Sequence, residues 1–400
     1  MTSTCSAQRS CPVCTGRECI GLHFQRFVLA QGHPLGNGYL VVQCSGCGMV
    51  YADTAVTQSQ FNQFYARNSK YEDSKTATGG GGSSWDQRRL QAAACEIANR
   101  VPAHARVVDI GAANGGLLIE LGHLGFSRLG GIDPSPNCVR NMHARGLEAW
   151  SGTLADIPPE AGSFDCVVLS HVLEHVWDVS SAVVMLEKVV LPGGLIYAEV
   201  PDASRYHEFV VAPFQEFNTE HINHFSPAAL VNLFGRFGWR AIHVGQKEVP
   251  SSLDGSIPAV YGWFRKEEFP VAAAKDEHLG KAINQYIDCS QEKMDAISRH
   301  LAAELDGLGS IVVWGAGQLT MKLLAETKLA GQPVRAFIDS NPANQGKEFR
   351  GVPVVSPAEF KERAWNDPIL VGSLLHEREI VDVIRHRLGF ENRVIRLGKD

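Results

Sequence analysis

Short apolar runs alternate with segments of helical composition along the central part of the chain, from about residue 86 onward. In chain order the segments are DQRRLQAAACEIANR, RVVDIG, GGLLIELGHLG, RLGGIDPS, DCVVLS, SSAVVMLEKVV and GGLIYAEV. Continuous apolar runs are typical of strands buried on both faces, and the amphipathic segments between them are typical of covering helices. The pattern predicts a doubly wound α/β sheet of mainly parallel strands, with WRAIHVGQ and PAVYGWFRK as further strands at its edge.

The pattern recurs near the C-terminus. A long helical segment leads to GSIVVWGAGQLTMKLL, in which a strand, a glycine turn and a helix follow one another, and the next strand ends at Asp339. Thr320 stands where a dinucleotide fingerprint has its third glycine, so we interpret this region as a substrate-side or structural Rossmann-like domain. We therefore divide the chain into residues 1–85, 86–265 and 266–400.

Composition narrows the class of protein. The 400 residues are 44% hydrophobic and 20% charged, which suits a large soluble globular protein of two or three domains. A net charge of -6 gives no electrostatic basis for binding a nucleic acid polymer. The first residues lack the apolar core of a signal peptide, and no apolar run is long enough to span a bilayer. We expect a cytoplasmic protein without a membrane partner.

Two CxxC pairs mark residues 1–85 as a metal-binding module joined to a connector. The four cysteines are Cys11, Cys14, Cys44 and Cys47. Four thiolates suit tetrahedral Zn(II) with no vacant position, so we predict a structural zinc site; the alternative is two chance pairs in a loop. Cys5, Cys19 and His23 lie nearby, and a complete set of four sulfurs gives them no required role.

A glycine-rich segment, EDSKTATGGGGSSWDQ, follows this module. Gly79 to Gly82 and the two serines indicate a flexible connection. It is either a plain linker or a lid over an adjacent active site, and the sequence leaves both open.

The first predicted strand of the sheet ends in a glycine turn, VVDIGAANGG, and the next ends in an acid, Asp133, 24 residues after Asp109. In such sheets ligands bind at the carboxyl ends of the strands, where glycine allows close backbone approach and a carboxylate accepts hydrogen bonds from ribose hydroxyls. The turn and the acid fit either a dinucleotide or S-adenosylmethionine.

The order and spacing of VVDIGAANGG, GIDPS, GSFDCVVLSHVLEHVWD and LPGGLIYAEVPD resemble the motifs of class I S-adenosylmethionine-dependent methyltransferases over residues 86–265. The resemblance implies that Asp109, Gly111 and Gly115 surround the methionine end of the cofactor and that Asp133 holds the ribose. It also implies that the GTLADI stretch, with Thr153 and Asp156, flanks the adenine. Ser170 is a further cofactor contact that it implies.

Two features qualify this resemblance. Ala113 stands where many members of the family have the second glycine of GxGxG, and alanine often fits there. In HVLEH, we interpret His171, Glu174 and His175 as satisfying polar contacts at the end of a strand and the start of a helix.

A second polar strip, EFNTEHINHFSP, precedes a helix for which Ser226 is a plausible N-cap and Pro227 a first-turn residue. Histidine can take a proton near neutral pH, and a carboxylate can orient a ring or bind a substrate hydroxyl. Because adjacent residues need not touch each other, Glu220 and His221 are given separate roles. An ordinary polar loop is the alternative.

The cysteine module, this core and the C-terminal unit with its DSNPANQGKEFRGVPV stretch together resemble the sugar C-methyltransferases that alkylate nucleotide-linked ketosugars. The resemblance implies that His221 removes the proton alpha to the ketone, with Glu220 as its partner, and that the enolate carbon attacks the sulfonium methyl. Asn218 replaces the tyrosine of the family's YxEH motif, and Tyr65 or Tyr71 would supply another family tyrosine.

Three classes of function therefore remain. The first is a zinc-containing methyltransferase acting on a small molecule, on carbon or, with His221 deprotonating an alcohol, on oxygen. The second is an NAD-dependent oxidoreductase that uses GAGQLT, and the third is a noncatalytic scaffold with a zinc module.

Overall fold

The computed structural model describes residues 4–68, 79–252, 255–267 and 269–398. The chain divides into two compact units. The first unit comprises Met1–His23, Leu40–Phe209 and Glu220–Asn284, and the second comprises Phe24–Tyr39, Val210–Thr219 and Gln285–Asp400. None of the described helices is long and apolar enough to cross a membrane.

The described strands, in chain order, are β1 (Thr4–Ser6), β2 (Glu18–Arg26), β3 (Gly38–Cys44), β4 (Val50–Asp53), β5 (Arg106–Ile110), β6 (Arg128–Asp133), β7 (Glu148–Ser151), β8 (Phe164–Ser170), β9 (Val190–Pro201), β10 (Asn223–His224), β11 (Trp239–Pro250), β12 (Ser256–Lys266), β13 (Ile311–Trp314), β14 (Val334–Ile338), β15 (Glu348–Phe349), β16 (Val352–Val355), β17 (Ile369–Val371) and β18 (Val394–Ile395). The described α-helices are α1 (Gln58–Asn68), α2 (Ser84–Ala98), α3 (Gly116–His123), α4 (Pro136–Ala144), α5 (Val179–Val189), α6 (Pro227–Gly235), α7 (Leu279–Glu304), α8 (Gln318–Glu326), α9 (Pro357–Arg363) and α10 (Glu377–Asp382).

A seven-stranded sheet in the order β11-β12-β9-β8-β5-β6-β7 forms the centre of the first unit. The five strands from β9 to β7 run parallel, and β12 is antiparallel to both β9 and β11. The predicted α/β class with a Rossmann-like sheet is confirmed, and the two predicted edge strands, β11 and β12, lie at one side of it. Strand order reverses between β5 and β8, which places a crevice at their carboxyl ends.

Apolar spacing explains how the helices cover this sheet. Helix α2 begins after the N-cap Ser83 and buries Leu90, Ala93, Ala94 and Ile97, a helical repeat that forms one stripe. These residues share a core cluster with Val107 of β5 and other buried residues of the sheet. Packing of this stripe fixes α2 beside the glycine turn that follows β5.

A second sheet has the order β1-β2-β3-β4-β10. Cys11 and Cys14 lie between β1 and β2, Cys44 ends β3 and Cys47 lies between β3 and β4, so we call it the cysteine-bearing sheet. Strand β10 is contributed by the segment that follows Glu220 and His221, and it pairs antiparallel with β4. Cys5 and Cys19, to which the sequence assigned no role, face each other across β1 and β2 and form a disulfide.

The second unit contains a sheet in the order β15-β16-β14-β13-β17-β18, which is parallel except for β15. The turn after β13 repeats the turn after β5. Gly315 N–H donates to Ile338 O at 2.7 Å, as Gly111 N–H donates to Ile132 O at 2.7 Å. In both turns an amide also donates to an acid at the end of the next strand, Asp339 directly after β14 or Asp133 as the last residue of β6.

Candidate active site

A cavity of about 300 Å³ lies in the first unit, where β5, β6 and β8 end. The ends of these strands contribute Gly111, Asp133 and Ser170 to its wall. This is the crevice that the reversal of strand order creates, and it is where open α/β sheets bind ligands.

The turn after β5 has the backbone that close approach to a ligand requires. Gly111 and Gly115 have φ values of +80° and +77°, in the left-handed region that glycine adopts without steric cost. A Cβ at Gly111 would lie 2.7 Å from Val172 Cγ2, so a side chain does not fit there. Ala113 also adopts positive φ, +47°, a conformation that glycine reaches more readily than alanine.

The carboxylate of Asp133 is fixed at the cavity edge by backbone amides. Its Oδ2 accepts a hydrogen bond from Ala113 N at 2.8 Å, and its Oδ1 accepts one from Ser135 N at 2.9 Å. A carboxylate oxygen has two lone pairs and can accept hydrogen bonds from the hydroxyls of a ribose. The site therefore fits the ribose-binding role given to Asp133.

Asp109 lies behind the cavity wall, one residue before the lining residue Ile110. It is 4% exposed, and its Oδ1 accepts no hydrogen bond from any residue that the structure describes. Burial and the neighbouring Asp133 carboxylate raise the pKa of Asp109 to about 8, and the Arg89 guanidinium opposes this shift. A cationic group bound at the glycine turn, such as the ammonium of a methionine moiety, would favour the ionised form of this carboxyl.

The other predicted cofactor residues are divided between the cavity and the surface. Thr153 and Leu154 line the cavity together with Ser170, whereas Asp156 is exposed and absent from its wall. The backbones of Thr153 and Asp156 exchange two hydrogen bonds of 3.1 Å. Asp156 thus closes the turn that presents Thr153 and Leu154.

His171 follows β8 with a φ of +57° and projects between two buried carboxylates. Its Nδ1 lies 3.3 Å from Glu174 Oε1, and its Nε2 lies 3.3 Å from Glu199 Oε1. Burial alone would lower the pKa of His171, but the two carboxylates raise it to about 9. The pKa of Glu174 is lowered to about 2 because contact with His171 outweighs burial. A charged imidazolium therefore lines the cavity at neutral pH.

His175 and His221 form a pair at the same wall. Their ring centroids are 4.9 Å apart, and Tyr65 packs on the other side of His175 at 5.9 Å. Nδ1 of His175 lies 3.1 Å from the carbonyl oxygen of Glu220. All three rings line the cavity, whereas the 3%-exposed side chain of Glu220 does not.

One residue predicted for catalysis, Asn218, is not among those that line the cavity. Asn218 belongs to the second unit, where its Nδ2 donates to Gln215 O and its carbonyl accepts from Tyr39. Tyr71 lies outside the described residues. Tyr65 is the predicted tyrosine that the structure places at the cavity.

Within the part of the chain that the structure describes, two clusters have the composition of metal sites. The sulfurs of Cys11, Cys14, Cys44 and Cys47 all lie within 4.8 Å of one another, with Sγ–Sγ distances of 3.5 Å for Cys11 and Cys47 and 3.4 Å for Cys14 and Cys44. This donor set fits the tetrahedral zinc that the CxxC spacing predicts. One ligand atom from each of Glu174, His175 and His221 also lies within 4.8 Å of the others, so a divalent cation could bind there.

Several cavity residues escaped the sequence analysis because they precede the recognisable motifs. Gln58, Asn62, Trp85 and Arg89 come from α1 and α2 and line the cavity. The only sequence signal for Arg89 is that it lies one position from the buried stripe of α2. Gly79 also lines the cavity; its N–H donates to Asp86, and its carbonyl accepts from Gly116 N. The described end of the glycine-rich segment is thus attached to the starts of α2 and α3.

Comparison with known proteins agrees with this geometry. Residues 84–244 match a family described as methyltransferase domain. A ubiquinone biosynthesis O-methyltransferase of Methylobacterium sp. (strain 4-46) is 37% identical over 123 residues, which are 27% of this chain and 48% of that protein. The protein of the same name from Rhizobium rhizogenes is 38% identical over 117 residues, 26% of this chain and 46% of that protein. The chain thus spans about half the length of these curated relatives.

Among solved structures, a methyltransferase from Methanosarcina mazei is similar at a TM-score of 0.37 and 17% identity, with 43% of this chain and 98% of that chain covered. One from Mesorhizobium loti has a TM-score of 0.36 and 18% identity, with 44% and 100% covered. The family match spans the glycine turn, Asp133 and the cavity-lining histidines of this sheet. Residues 84–244 of this chain therefore form a methyltransferase domain built on a Rossmann-like α/β sheet.

Proposed function

We propose that this chain transfers the methyl group of S-adenosylmethionine to a small molecule, and that the acceptor is a nucleotide-linked ketosugar methylated on carbon. The proposal rests on one observation: a single cavity is lined both by residues suited to bind the cofactor and by residues suited to acid–base chemistry. The glycine turn and Asp133 form a cofactor side, and His171, His175 and His221 form an acid–base side.

The cofactor side would hold S-adenosylmethionine through its residues at the strand ends. Asp133 would accept the ribose hydroxyls, Thr153 and Leu154 would flank the adenine, and Ser170 would lie beside the sulfonium. Trp85 and Arg89, which the resemblance did not supply, extend this wall from α2. When bound, the cofactor supplies an electrophilic methyl group on a positively charged sulfur.

On the opposite side, His221 would act as the general base. Its imidazole would take the proton from the carbon next to the ketone, and the resulting enolate carbon would form a bond to the methyl group as the methyl–sulfur bond breaks. Positioned general bases contribute typically 10²- to 10⁴-fold to rate. His175 would hold the base in place, since the two rings are in contact.

His171 would supply the charge that an enolate needs. Negative charge develops on the ketone oxygen as the proton leaves, and preorganised positive charge nearby stabilises it. The family resemblance gives this task to a tyrosine at the position of Asn218. In this chain His171 would act through its charge alone, because its two ring nitrogens face Glu174 and Glu199 and leave no N–H for the substrate.

Methylation of a hydroxyl is the second candidate, and two relatives favour it, because they are named ubiquinone biosynthesis O-methyltransferases. In that reaction His221 would remove the hydroxyl proton, and no carbon acid would be involved. The same residues would serve, so the acceptor decides between the two reactions.

The deciding experiment uses methyl-labelled S-adenosylmethionine with nucleotide-linked ketosugars and the alcohols made from them by reduction. Mass spectrometry of the products is expected to show transfer to ketosugars alone, with one alpha hydrogen replaced by methyl. Transfer to the alcohols would establish O-methylation. If the enzyme methylates neither the ketosugars nor the alcohols, the sugar proposal fails. Binding of NAD and not of S-adenosylmethionine by the protein would favour an oxidoreductase.

A further inference from the structure

A buried arginine joins the cysteine-bearing sheet to both histidine-carrying segments. Arg9 is 2% exposed and lies two residues before Cys11. Its own backbone is fixed in that sheet, because Arg9 N donates to Asp53 Oδ1 at 2.8 Å and Arg9 O accepts from the Tyr51 hydroxyl at 3.3 Å. The guanidinium is therefore presented from a defined point.

The two terminal nitrogens of Arg9 donate to acceptors from three separate segments. Nη1 reaches the carbonyls of Ile222 at 3.1 Å and Ala52 at 3.4 Å. Nη2 reaches Trp177 O at 2.6 Å, Asn223 Oδ1 at 2.7 Å and Val176 O at 3.4 Å. Carbonyl oxygens brought together in this way repel one another unless a cation lies between them.

The positions of these acceptors matter for the cavity. Ile222 directly follows His221, and Val176 and Trp177 directly follow His175. Arg9 thus holds the chain within two residues of both imidazoles, whose rings are 4.9 Å apart.

Further hydrogen bonds also connect the cysteine-bearing sheet and the two histidine-carrying segments. Ala52 N donates to Ile222 O at 2.9 Å, and β10 pairs with β4. Asn223 Nδ2 donates to Leu173 O and Val176 O at 2.7 and 2.8 Å, which ties the two segments to each other. Gln58, the first residue of α1, accepts from the amides of Trp177 and Asp178.

We infer that Arg9 is a positioning residue for the His175 and His221 pair, and that the cysteine-bearing sheet is a structural part of the active site. The inference rests on the proposed function for its effect on turnover. Arginine suits this task because its planar fork donates in several directions at once, whereas lysine is a point charge on a flexible stem.

The test compares wild-type protein with Arg9→Met. Methionine keeps a long unbranched side chain but lacks the guanidinium, so all five of its hydrogen bonds are lost. We expect kcat to fall by about 10- to 100-fold, the usual effect of removing a group that orients a functional side chain. The Kd for S-adenosylmethionine and the KM for the acceptor should stay within about twofold. Arg236→Met is the matched control, because Arg236 donates to Val13 O, in the connection between β1 and β2, at 2.8 Å and makes no hydrogen bond to either histidine segment among the described residues.

A spectroscopic readout separates this inference from the proposed function. In ¹⁵N-labelled wild-type protein, the Nδ1 proton of His175 should be protected from exchange by its bond to Glu220 O, and ring protons of His175 and His221 should show a mutual NOE. Arg9→Met should lose both signals, and Arg236→Met should keep them. If wild-type protein has these signals but transfers no methyl group, the proposed function fails while the positioning role stands.

Arg9→Lys covers the case in which Arg9→Met does not fold. The lysine variant keeps the charge but reaches fewer acceptors, so a folded lysine variant should show a weakened NOE and a smaller fall in kcat. A folded variant of either kind with wild-type NOE, protected Nδ1 proton and kcat within twofold would overturn the inference.

Discussion

Nδ1 of His175 lies 3.1 Å from the carbonyl oxygen of Glu220. Because a carbonyl can only accept, His175 must carry a proton on Nδ1, and its Nε2 is then directed towards Glu174 at 3.8 Å. This bond connects the segment after β8 to the segment before β10 and brings the His175 ring against His221. The cavity is thus lined by three imidazoles with different surroundings, His171, His175 and His221, whose roles can be separated by substitution.

His221→Ala should lower turnover by roughly 100- to 10,000-fold, as expected for the loss of a positioned general base. Affinity for S-adenosylmethionine should be almost unchanged, because the cofactor side of the cavity is intact. Steady-state kinetics and calorimetry measure the two effects. With a ketosugar, the wild-type enzyme should also exchange the alpha proton with deuterated solvent, and the variant should lose that exchange.

His224→Ala is the comparison. His224 is fully buried, packs against Tyr206 at 6.0 Å and does not line the cavity; burial lowers its pKa to about 3. Its removal should reduce folded yield and leave turnover per folded molecule much less affected. Near-normal turnover and retained exchange in His221→Ala would assign the base to another residue, with Glu220 and Tyr65 the next to test.

Asp133→Ala should weaken S-adenosylmethionine binding by about 1 to 3 kcal/mol, the usual effect of losing a charge-assisted hydrogen bond and leaving its partners unmet. Asp339→Ala is matched to it, since Asp339 accepts from Ala316 N in the equivalent turn of the second unit. The control should bind the cofactor normally. Equal affinities for wild-type protein and Asp133→Ala in calorimetry would show that the ribose lies elsewhere.

Purified protein should contain about one zinc per chain, because four thiolates complete one tetrahedral site. Cys44→Ser should lose the metal and reduce folded yield. Cys95→Ser, at an exposed free cysteine, is the control and should keep both. Elemental analysis of freshly purified, reduced protein decides the matter, and protein without metal but fully folded would disprove a structural zinc.

The sequence predicted the parts of this site that depend on neighbours along the chain. The sheet order follows from short apolar strands joined by helices, and the glycine turn with Asp133 follows from one strand–turn–helix unit. His171 illustrates the limit. Its second carboxylate, Glu199, is supplied by the pairing of β8 with β9, in which Ser170 lies opposite Glu199.

Arg9 shows the same limit more strongly. Its contacts reach 168 residues to Trp177 and 214 residues to Asn223 along the chain. No local pattern around Arg9 indicates acceptors at that distance, because they depend on how β4 and β10 pair. Arg89 was missed for a related reason, since only the packing of α2 directs it towards the cavity.

The raised pKa of Asp109 predicts how the stability of the cofactor-free protein varies with pH. The folded state keeps a proton on this carboxyl up to about pH 8, because burial and Asp133 oppose ionisation more than Arg89 favours it, whereas the unfolded chain releases that proton near the ordinary value of 3.8. The folded state thus binds more protons between these limits. The stability that Asp109 contributes is fully present below about pH 4 and is lost as the pH rises towards 8.

Asp109→Asn keeps the shape and cannot ionise, so its free energy of unfolding relative to wild type should increase across that window. Denaturant titrations from pH 4.5 to 8.5 should show this by roughly constant steps per pH unit. Asp156→Asn, at an exposed carboxylate of the same unit, provides the control. Parallel curves for wild type and Asp109→Asn would mean that Asp109 is ionised in the folded protein, and that its charge is neutralised by Arg89.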